Sequence, residues 1–411
     1  MTGVDRIMPN NFGLKQDIIC ELAVFVAVSV LIYWFLMPGK WRNVFLLMMS
    51  LLLIASHNVK YAVYFLLIAV VVYIGGIFLA KEIRYKENLL KILLVGLIGN
   101  LCIFKYSRKL IDMVLFFNPH CTALADGRLS SLLFPLGLSY ITFRLIHYVI
   151  EIHRKSIPQG NCVDFLLYIF FFPTFLAGPV DRFGRFQPQA VSEKNINLTE
   201  VNAALYRIVC GGIKKFIIAD GLARLVMPIL HAPQGHSWPC VVCAVYGLSL
   251  LIYMDFAGYT DMALGISRLF GYKIMENFDR PFLKNNIALY WRSWHISMYS
   301  WIRDYFFLPL FGYRASEIKI YIGIFCSMMV FMLWHQGSLN FLIIGIYHGT
   351  GLVVWQLFQE IKRKFPRVRA LVSQKYLDPF SWLCTFTFVS FGFLLFALDI
   401  PSVYNVLQKV F

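Results

Sequence analysis

The feature that most constrains this chain is an apolar run of about twenty residues that recurs along nearly its whole length. A helix of about 20 residues crosses the roughly 30 Å hydrocarbon core of a bilayer, so each such run is a candidate membrane span. The candidates lie at about 17–37, 43–57, 61–80, 89–105, 131–152, 163–178, 238–256, 317–334, 339–358 and 379–398. The sequence therefore predicts an all-α polytopic membrane protein with roughly ten to eleven transmembrane helices.

The composition agrees with a membrane protein. Hydrophobic residues make up 59% of the 411 residues and charged residues only 15%, whereas soluble domains have about 45–50% and about 25%. No long polar stretch could fold separately, which argues against an appended receptor, kinase or nucleotide-binding domain. The segments 200–231 and 283–311 are too polar for simple spans, and we predict re-entrant or interfacial helices there.

The net charge of +16 is interpreted as loop topology and attraction to the lipid bilayer, and not as nucleic-acid binding. Basic residues of the first short loops fall mostly on one side of the predicted spans. That side carries Lys40, Arg42, Lys81, Arg84, Lys86 and Lys91, and the other side Arg6, Lys15 and Lys60. The positive-inside rule then places the N-terminus outside the cytoplasm. We expect a multi-pass protein of the cytoplasmic membrane.

The densest group of polar residues in a membrane-like context lies between Leu289 and Tyr305. Treated as one helix, this segment has an apolar stripe and an adjacent polar stripe. The apolar stripe comprises Trp291, Trp294, Met298, Trp301 and Tyr305, and the polar stripe Arg292, His295, Tyr299 and Arg303. An interfacial helix with an aromatic belt explains much of this pattern. It does not explain His295, which two neighbouring arginines should keep as a neutral imidazole.

A second group centres on Trp334 and His335, which end a long apolar run. His348 and Gly349 follow thirteen residues later. An ionisable residue at membrane depth is a candidate functional residue, so we predict catalysis or substrate contact for His335. For His348 the neighbouring glycine favours tight helix packing.

The third group is Asp255 to Arg268. Asp255 and Asp261 are about 240° apart on a helix, so they do not form a carboxylate pair there. We interpret the group as architectural, with Asp255 the residue that faces the site.

Motifs for other chemistries are missing from the sequence. It contains no P-loop, dinucleotide-binding glycine motif, zincin motif or serine-hydrolase elbow. Cys240 and Cys243 form a C-x-x-C pair without a second pair. The three histidines His295, His335 and His348 lack the short spacing that is typical of metal ligands. We therefore predict no bound metal and no bound cofactor.

Seven landmarks in order make the sequence similar to a known family. They are 134–143 (FPLGLSYITF), 172–180 (FPTFLAGPV) with Arg182 and Phe186, 212–216 (GIKKF) through Asp220, 255–261 (DFAGYTD), 277–282 (NFDRPF), 291–297 (WRSWHIS) and Trp334-His335. From about Trp41 to Gly349 the chain resembles the membrane-bound O-acyltransferases. The similarity is to the bacterial branch with alginate and peptidoglycan O-acetylases and the teichoic-acid D-alanylation protein.

This resemblance implies a single acyltransferase domain over 1–411. It comprises N-terminal helices at 1–130, a catalytic core at 131–358, and a C-terminal loop and last transmembrane helix at 359–411. The re-entrant helices would line a central funnel. His335 would be the catalytic histidine, and His295, on the opposite side of the funnel, would support catalysis or substrate binding. Gln336 departs from the usual W-H-G, but the spacing to His348 is kept, so we interpret it as a tolerated substitution.

The implied reaction moves an acyl group, acetyl in our interpretation, from a cytoplasmic thioester across the membrane. The donor would be acetyl-CoA or an acyl-carrier thioester. The acceptor would be a hydroxyl of an exported cell-surface polysaccharide or of a relay protein, through a secreted or membrane-anchored acyltransferase partner. His335 would be the general base, and no serine or cysteine is placed for a covalent intermediate. The predicted substrate-binding residues are Arg292, Asp255, Tyr299, Trp291 and Trp334.

Two alternatives stay open at this point. Within the branch, the chain could transfer D-alanine from a carrier protein towards teichoic acid. Outside it, a transporter or channel could use His295, His335 and the arginines to line a path, although no inverted repeat is visible in the sequence.

Overall fold

The computed structural model describes residues 16–81, 84–117, 137–176, 178–312, 316–367 and 377–411. These ranges are helical and contain no strand. The α-helices are α1 Gln16–Leu31, α2 Arg42–His57, α3 Val59–Ala80, α4 Lys86–Phe117, α5 Leu138–His153, α6 Cys162–Phe170, α7 Phe172–Phe175, α8 Phe183–Val191, α9 Leu198–Gly212, α10 Asp220–His231, α11 Trp238–Leu269, α12 Ile287–Ser293, α13 Ile296–Ile302, α14 Leu308–Phe311, α15 Glu317–His335, α16 Leu339–Lys364, α17 Asp378–Ala397 and α18 Ile400–Val410. This confirms the all-α prediction.

Seven helical segments within the described ranges are long and apolar enough to cross a membrane. They are Ile19–Leu36, Val59–Ala80, Lys86–Ser107, Trp238–Leu269, Glu317–His335, Leu339–Lys364 and Asp378–Ala397. The other three predicted spans correspond to α2 and α5, of 16 residues each, and α6, of 9 residues. These helices are shorter than the roughly 20 residues of a straight span. The total of ten to eleven stays a prediction.

The described chain forms two compact units. The first comprises Leu22–Ile208 and Ala263–Met275, and the second comprises mainly Val209–Met262 and Glu276–Phe411. All seven predicted site residues belong to the second unit. The finer division at residues 130 and 358 stays a prediction.

The first unit is organised around the buried guanidinium of Arg144 on α5. Arg144 Nη1 donates to the carbonyl oxygens of Tyr168 and Ile169, each at 3.0 Å. Nη2 donates to the carbonyl and hydroxyl oxygens of Thr174 at 3.0 and 2.7 Å. The last carbonyls of a helix have no intrahelical donor, so this arginine satisfies the end of α6 and orients α7 behind it.

In the second unit, α11 crosses closely over the end of α9 and the helical segment that follows it. A Cβ built on Gly258 would lie 2.7 Å from the Gly211 carbonyl oxygen and 2.8 Å from the Lys215 amide nitrogen. No side chain fits at Gly258, and such close approach is typical of packed membrane helices. The segment Ile213–Ala219 that meets α11 is a π-helix, so its lysines project differently from those of a regular α-helix.

Replacing Arg144 by methionine should destabilise the first unit. The substitution leaves four buried oxygen acceptors without their donor, so we expect the free energy of unfolding to fall by about 3 kcal/mol. The thermal unfolding midpoint in detergent would measure this loss. Arg154→Met is the matched control, because Arg154 on the same chain segment is exposed and pairs with Glu151 at the surface. Equal shifts for the two variants would contradict the role assigned to Arg144.

Candidate active site

The segment predicted as one helix over 289–305 is broken at His295. α12 ends at Ser293, Trp294 is extended, and α13 begins at Ile296. His295 has φ +47° and ψ +52°, the left-handed region that a residue with a side chain rarely adopts. The prediction of one continuous helix is therefore wrong, and the two stripes do not share a single helix surface. The neighbouring chain supplies the reason.

Residues 277–279 run antiparallel to the break and take over its backbone groups. Ile296 N donates to Asn277 O at 2.9 Å, and Asp279 N donates to Ser293 O at 3.0 Å. Phe278 and Trp294 form an isolated bridge between these hydrogen bonds. Because a buried backbone group needs a partner, these bonds stabilise an interruption that would otherwise be costly at membrane depth.

The side chain of His295 is bound on one edge and lacks a partner on the other. Its Nδ1 lies 3.1 Å from Asn277 Oδ1. Its Nε2 has no hydrogen-bond partner among the described residues. Only 1% of His295 is exposed, and this burial lowers the pKa of the imidazole to about 3. The lowered pKa agrees with the neutral imidazole predicted from the sequence. Its cause is desolvation by burial and not the neighbouring arginines.

Two aromatic rings each contact both His295 and His335. The Phe331 ring centroid is 6.0 Å from that of His295 and 5.6 Å from that of His335. The Trp334 centroid is 6.2 Å from His295 and 4.6 Å from His335. Both histidines therefore contact the same aromatic pair, and the structure brings together two residues that are forty positions apart in the chain.

His335 is less enclosed than His295. It is the last residue of α15 and is half-buried. Its ring also stacks on Phe341, with centroids 6.0 Å apart, and meets the Phe396 ring edge at 5.6 Å. Aromatic rings thus hold the imidazole in position while part of it stays accessible.

Trp291 and His348 extend this cluster. The Trp291 ring lies 5.3 Å from Phe331 and 5.1 Å from His348. Both are buried, and neither Trp291 Nε1 nor His348 Nδ1 has a hydrogen-bond partner among the described residues. Buried polar atoms normally have partners, and an unpartnered one costs about 1–3 kcal/mol. Their concentration around Phe331 is typical of a functional site.

The structure places Asp255 beside the cluster in an ion pair. Lys215 Nζ lies 2.5 Å from Asp255 Oδ1, and Lys214 Nζ lies 2.6 Å from Asp261 Oδ2. The two aspartates thus have separate lysine partners. Phe256, next to Asp255, packs edge-on against the His295 ring with centroids 4.9 Å apart.

Two further predicted residues lie at the outside of the cluster. Arg292 is exposed, and Tyr299 is half-buried with its amide donating to the His295 carbonyl. The sequence reasoning did not single out Asn277, Phe331 or Lys215. Asn277 and Lys215 belong to landmarks, but only their contacts show what they do.

Stability should fall in acid because His295 is buried as a neutral imidazole. An unfolded chain binds the proton near pH 6.5, whereas the folded one does so only near pH 3. Acid therefore favours unfolding between about pH 6.5 and pH 3. At pH 5 the protonation of His295 in the unfolded chain lowers the free energy of unfolding by about 2 kcal/mol. We expect the thermal midpoint of His295→Gln to fall less than that of the wild type between pH 8 and pH 5. In His57→Gln, at an exposed histidine, the thermal midpoint should change with pH as in the wild type. The same change with pH in His295→Gln would contradict this prediction.

Comparisons with known proteins agree with this architecture. Residues 153–398 match the model of the membrane-bound O-acyltransferase family, MBOAT. The chain is 30% identical over 387 residues to "Probable alginate O-acetylase AlgI" of Pseudomonas aeruginosa, a match that covers 92% of this chain and 71% of that protein.

Other relatives are named for different activities. The chain is 27% identical over 412 residues to "Peptidoglycan O-acetyltransferase" of Helicobacter pylori, covering 91% of this chain and 73% of that one. It is 32% identical over 288 residues to "Teichoic acid D-alanyltransferase" of Streptococcus thermophilus, covering 65% and 69%. Because the family model covers more than half of the chain, this multi-pass membrane protein belongs to the membrane-bound O-acyltransferase family and is an acyltransferase.

Proposed function

We propose that this protein moves an acetyl group from a cytoplasmic thioester to a hydroxyl of an exported cell-surface polysaccharide or of a relay protein. The donor is acetyl-CoA or an acyl-carrier thioester. The observation that carries the proposal is a set of buried polar side-chain atoms in the His295, Trp291 and His348 cluster, and in Asn277 beside His295, that have no hydrogen-bond partner among the described residues. These are Asn277 Nδ2, Trp291 Nε1, His295 Nε2 and His348 Nδ1.

Such a set suits acyl transfer, because the reaction needs hydrogen-bond partners held in a dry site. Trp291 Nε1 carries a hydrogen and can only donate, so it suits the carbonyl oxygen of the thioester. Trp334 and Phe331 form the apolar wall against which the acyl group would lie. Arg292 and Tyr299, at the outside of the cluster, would bind the polar parts of the substrates, and Asp255 would support the site through the adjacent Phe256.

His335 is proposed as the general base. It is half-buried and so more accessible to a hydroxyl than the enclosed His295. As the hydroxyl oxygen bonds to the acyl carbon, its proton passes to His335 and the C–S bond breaks. His335 then returns the proton to the leaving thiolate, so neither a metal nor a covalent acyl-enzyme is required.

The extent of the matches favours acetyl over D-alanyl. The alginate O-acetylase of Pseudomonas aeruginosa aligns with 92% of this chain, and the teichoic acid D-alanyltransferase of Streptococcus thermophilus aligns with 65%. We place the protein in the cytoplasmic membrane, where a cytoplasmic donor and an outer acceptor are both accessible. The acceptor side includes a secreted or membrane-anchored acyltransferase partner. D-alanyl transfer towards teichoic acid is the alternative.

The test is the ester-linked acyl content of the cell surface, released by mild alkali and identified by mass. We compare cells with the wild-type protein, His335→Ala, the control His57→Ala, and no protein, at matched protein levels in the membrane. Loss of the base should reduce transfer by about 10²- to 10⁴-fold, so acetate should disappear in His335→Ala and in cells without the protein. His57→Ala should behave as the wild type.

The other outcomes of this experiment are distinct. D-alanine in place of acetate would move the substrate to the alternative. Normal acetate in His335→Ala would overturn the assignment of the base. Unchanged esters in cells without the protein would overturn both acyl assignments.

A further inference from the structure

The side-chain oxygen of Asn277, Oδ1, lies within hydrogen-bonding distance of three groups at the break between α12 and α13. Ser297 N donates to Asn277 Oδ1 at 3.3 Å, and Ser297 Oγ donates to the same atom at 2.8 Å. His295 Nδ1 lies 3.1 Å from it. Asn277 is fully buried, and its Nδ2 has no hydrogen-bond partner among the described residues.

These contacts decide which way the carboxamide faces. A backbone N–H only donates, so the carboxamide atom opposite Ser297 N is the oxygen and not the nitrogen. An oxygen opposite His295 Nδ1 requires that Nδ1 carries the hydrogen. In a neutral imidazole the other nitrogen, Nε2, then carries the lone pair.

We propose that Asn277 is a positioning residue that holds His295 as the Nδ1–H tautomer, so that Nε2 accepts a hydrogen bond from a substrate O–H or N–H. This deepens the proposed function and rests on it for the substrate. In this tautomer His295 cannot donate to the acyl carbonyl or to an oxyanion. The neighbouring Trp291 Nε1, which only donates, is left for that role.

The backbone keeps both partners in register. The carbonyl of Asn277 accepts from Ile296 N, so the residue that binds the His295 side chain also binds the amide next to it. His295 itself is in the left-handed region. Such a conformation costs of order 1–3 kcal/mol and persists where the surroundings enforce it, which is typical of functional positions.

Two groups of the substrates could donate the hydrogen bond to His295 Nε2. One is a hydroxyl of the acceptor, and the other is an amide N–H of the arm that carries the thioester. Both are hydrogen-bond donors, and both meet the same requirement at Nε2. Kinetics with and without acceptor separate them.

The first test reads the tautomer and needs no activity. Wild-type protein labelled with ¹⁵N-histidine is reconstituted in lipid vesicles, and the His295 signals are assigned by their loss in His295→Ala. At neutral pH we expect a protonated Nδ1 and a non-protonated Nε2. A protonated Nε2 would overturn the proposal even if the protein proves to be an acetyltransferase, whereas the expected tautomer would stand even if the acyl group is not acetate.

The second test uses substitutions at Asn277. Asn277→Leu removes the acceptor at similar size and should lower acyl transfer by about 10²-fold per folded protein, because the imidazole is free to adopt the wrong tautomer. Asn277→Asp keeps an oxygen acceptor and should recover most of that loss. Asn340→Leu is the matched control: Asn340 donates to the carbonyls of Leu395 and Leu398 in the same unit and contacts neither histidine in the hydrogen-bond network described.

Asn340→Leu should change the thermal midpoint but not the turnover of the folded protein. Equal turnover losses in Asn277→Leu and Asn277→Asp would contradict the proposal, as would turnover of Asn277→Leu within twofold of the wild type. A fall in acceptor-dependent transfer alone supports the proposal with an acceptor hydroxyl on Nε2. A parallel fall in thioester hydrolysis without acceptor supports it with an amide of the donor arm.

Discussion

Backbone hydrogen bonding in an apolar environment is the constraint on which the rest of this structure depends. A bilayer offers no water to an unpaired N–H or C=O, so the chain is helical and its interruptions need partners from the protein. Two interruptions show how these partners are supplied. Arg144 binds carbonyls at the end of α6 that have no intrahelical donor, and the 277–279 segment binds the groups freed between α12 and α13. Irregular backbone occurs where a neighbouring side chain or segment supplies the hydrogen-bond partners that the helix no longer provides.

The second interruption is also where the chemistry is concentrated. By ending one short helix and beginning another, the chain turns His295 into the interior beside Phe331 and Trp334. α15 places His335 against the same two rings. The enclosed histidine and the half-buried one therefore have different environments, and different environments are how proteins assign different roles to identical side chains.

Sequence reasoning predicted much of this from general rules. The hydropathy runs identified the seven helices that could span a membrane, and the ordered landmarks identified the family. It failed over 289–305, where a 100° period predicted one helix, because the hydrogen bonds that break this helix come from residues outside the window. It also could not pair Asp255 with Lys215, since that contact depends on the glycine crossing at Gly258.

The amino-acid sequence by itself determined the all-α membrane class and singled out His295 and His335, because hydrophobic length and polar residues in apolar runs are local properties. The tertiary structure decided what surrounds them: the aromatic pair that contacts both histidines, the lysine partners of the aspartates, and the Asn277 side-chain oxygen beside His295 Nδ1. A sequence window contains at most one partner of a hydrogen bond that joins distant segments. Only the folded chain brings the donor and acceptor within 3 Å or so of each other.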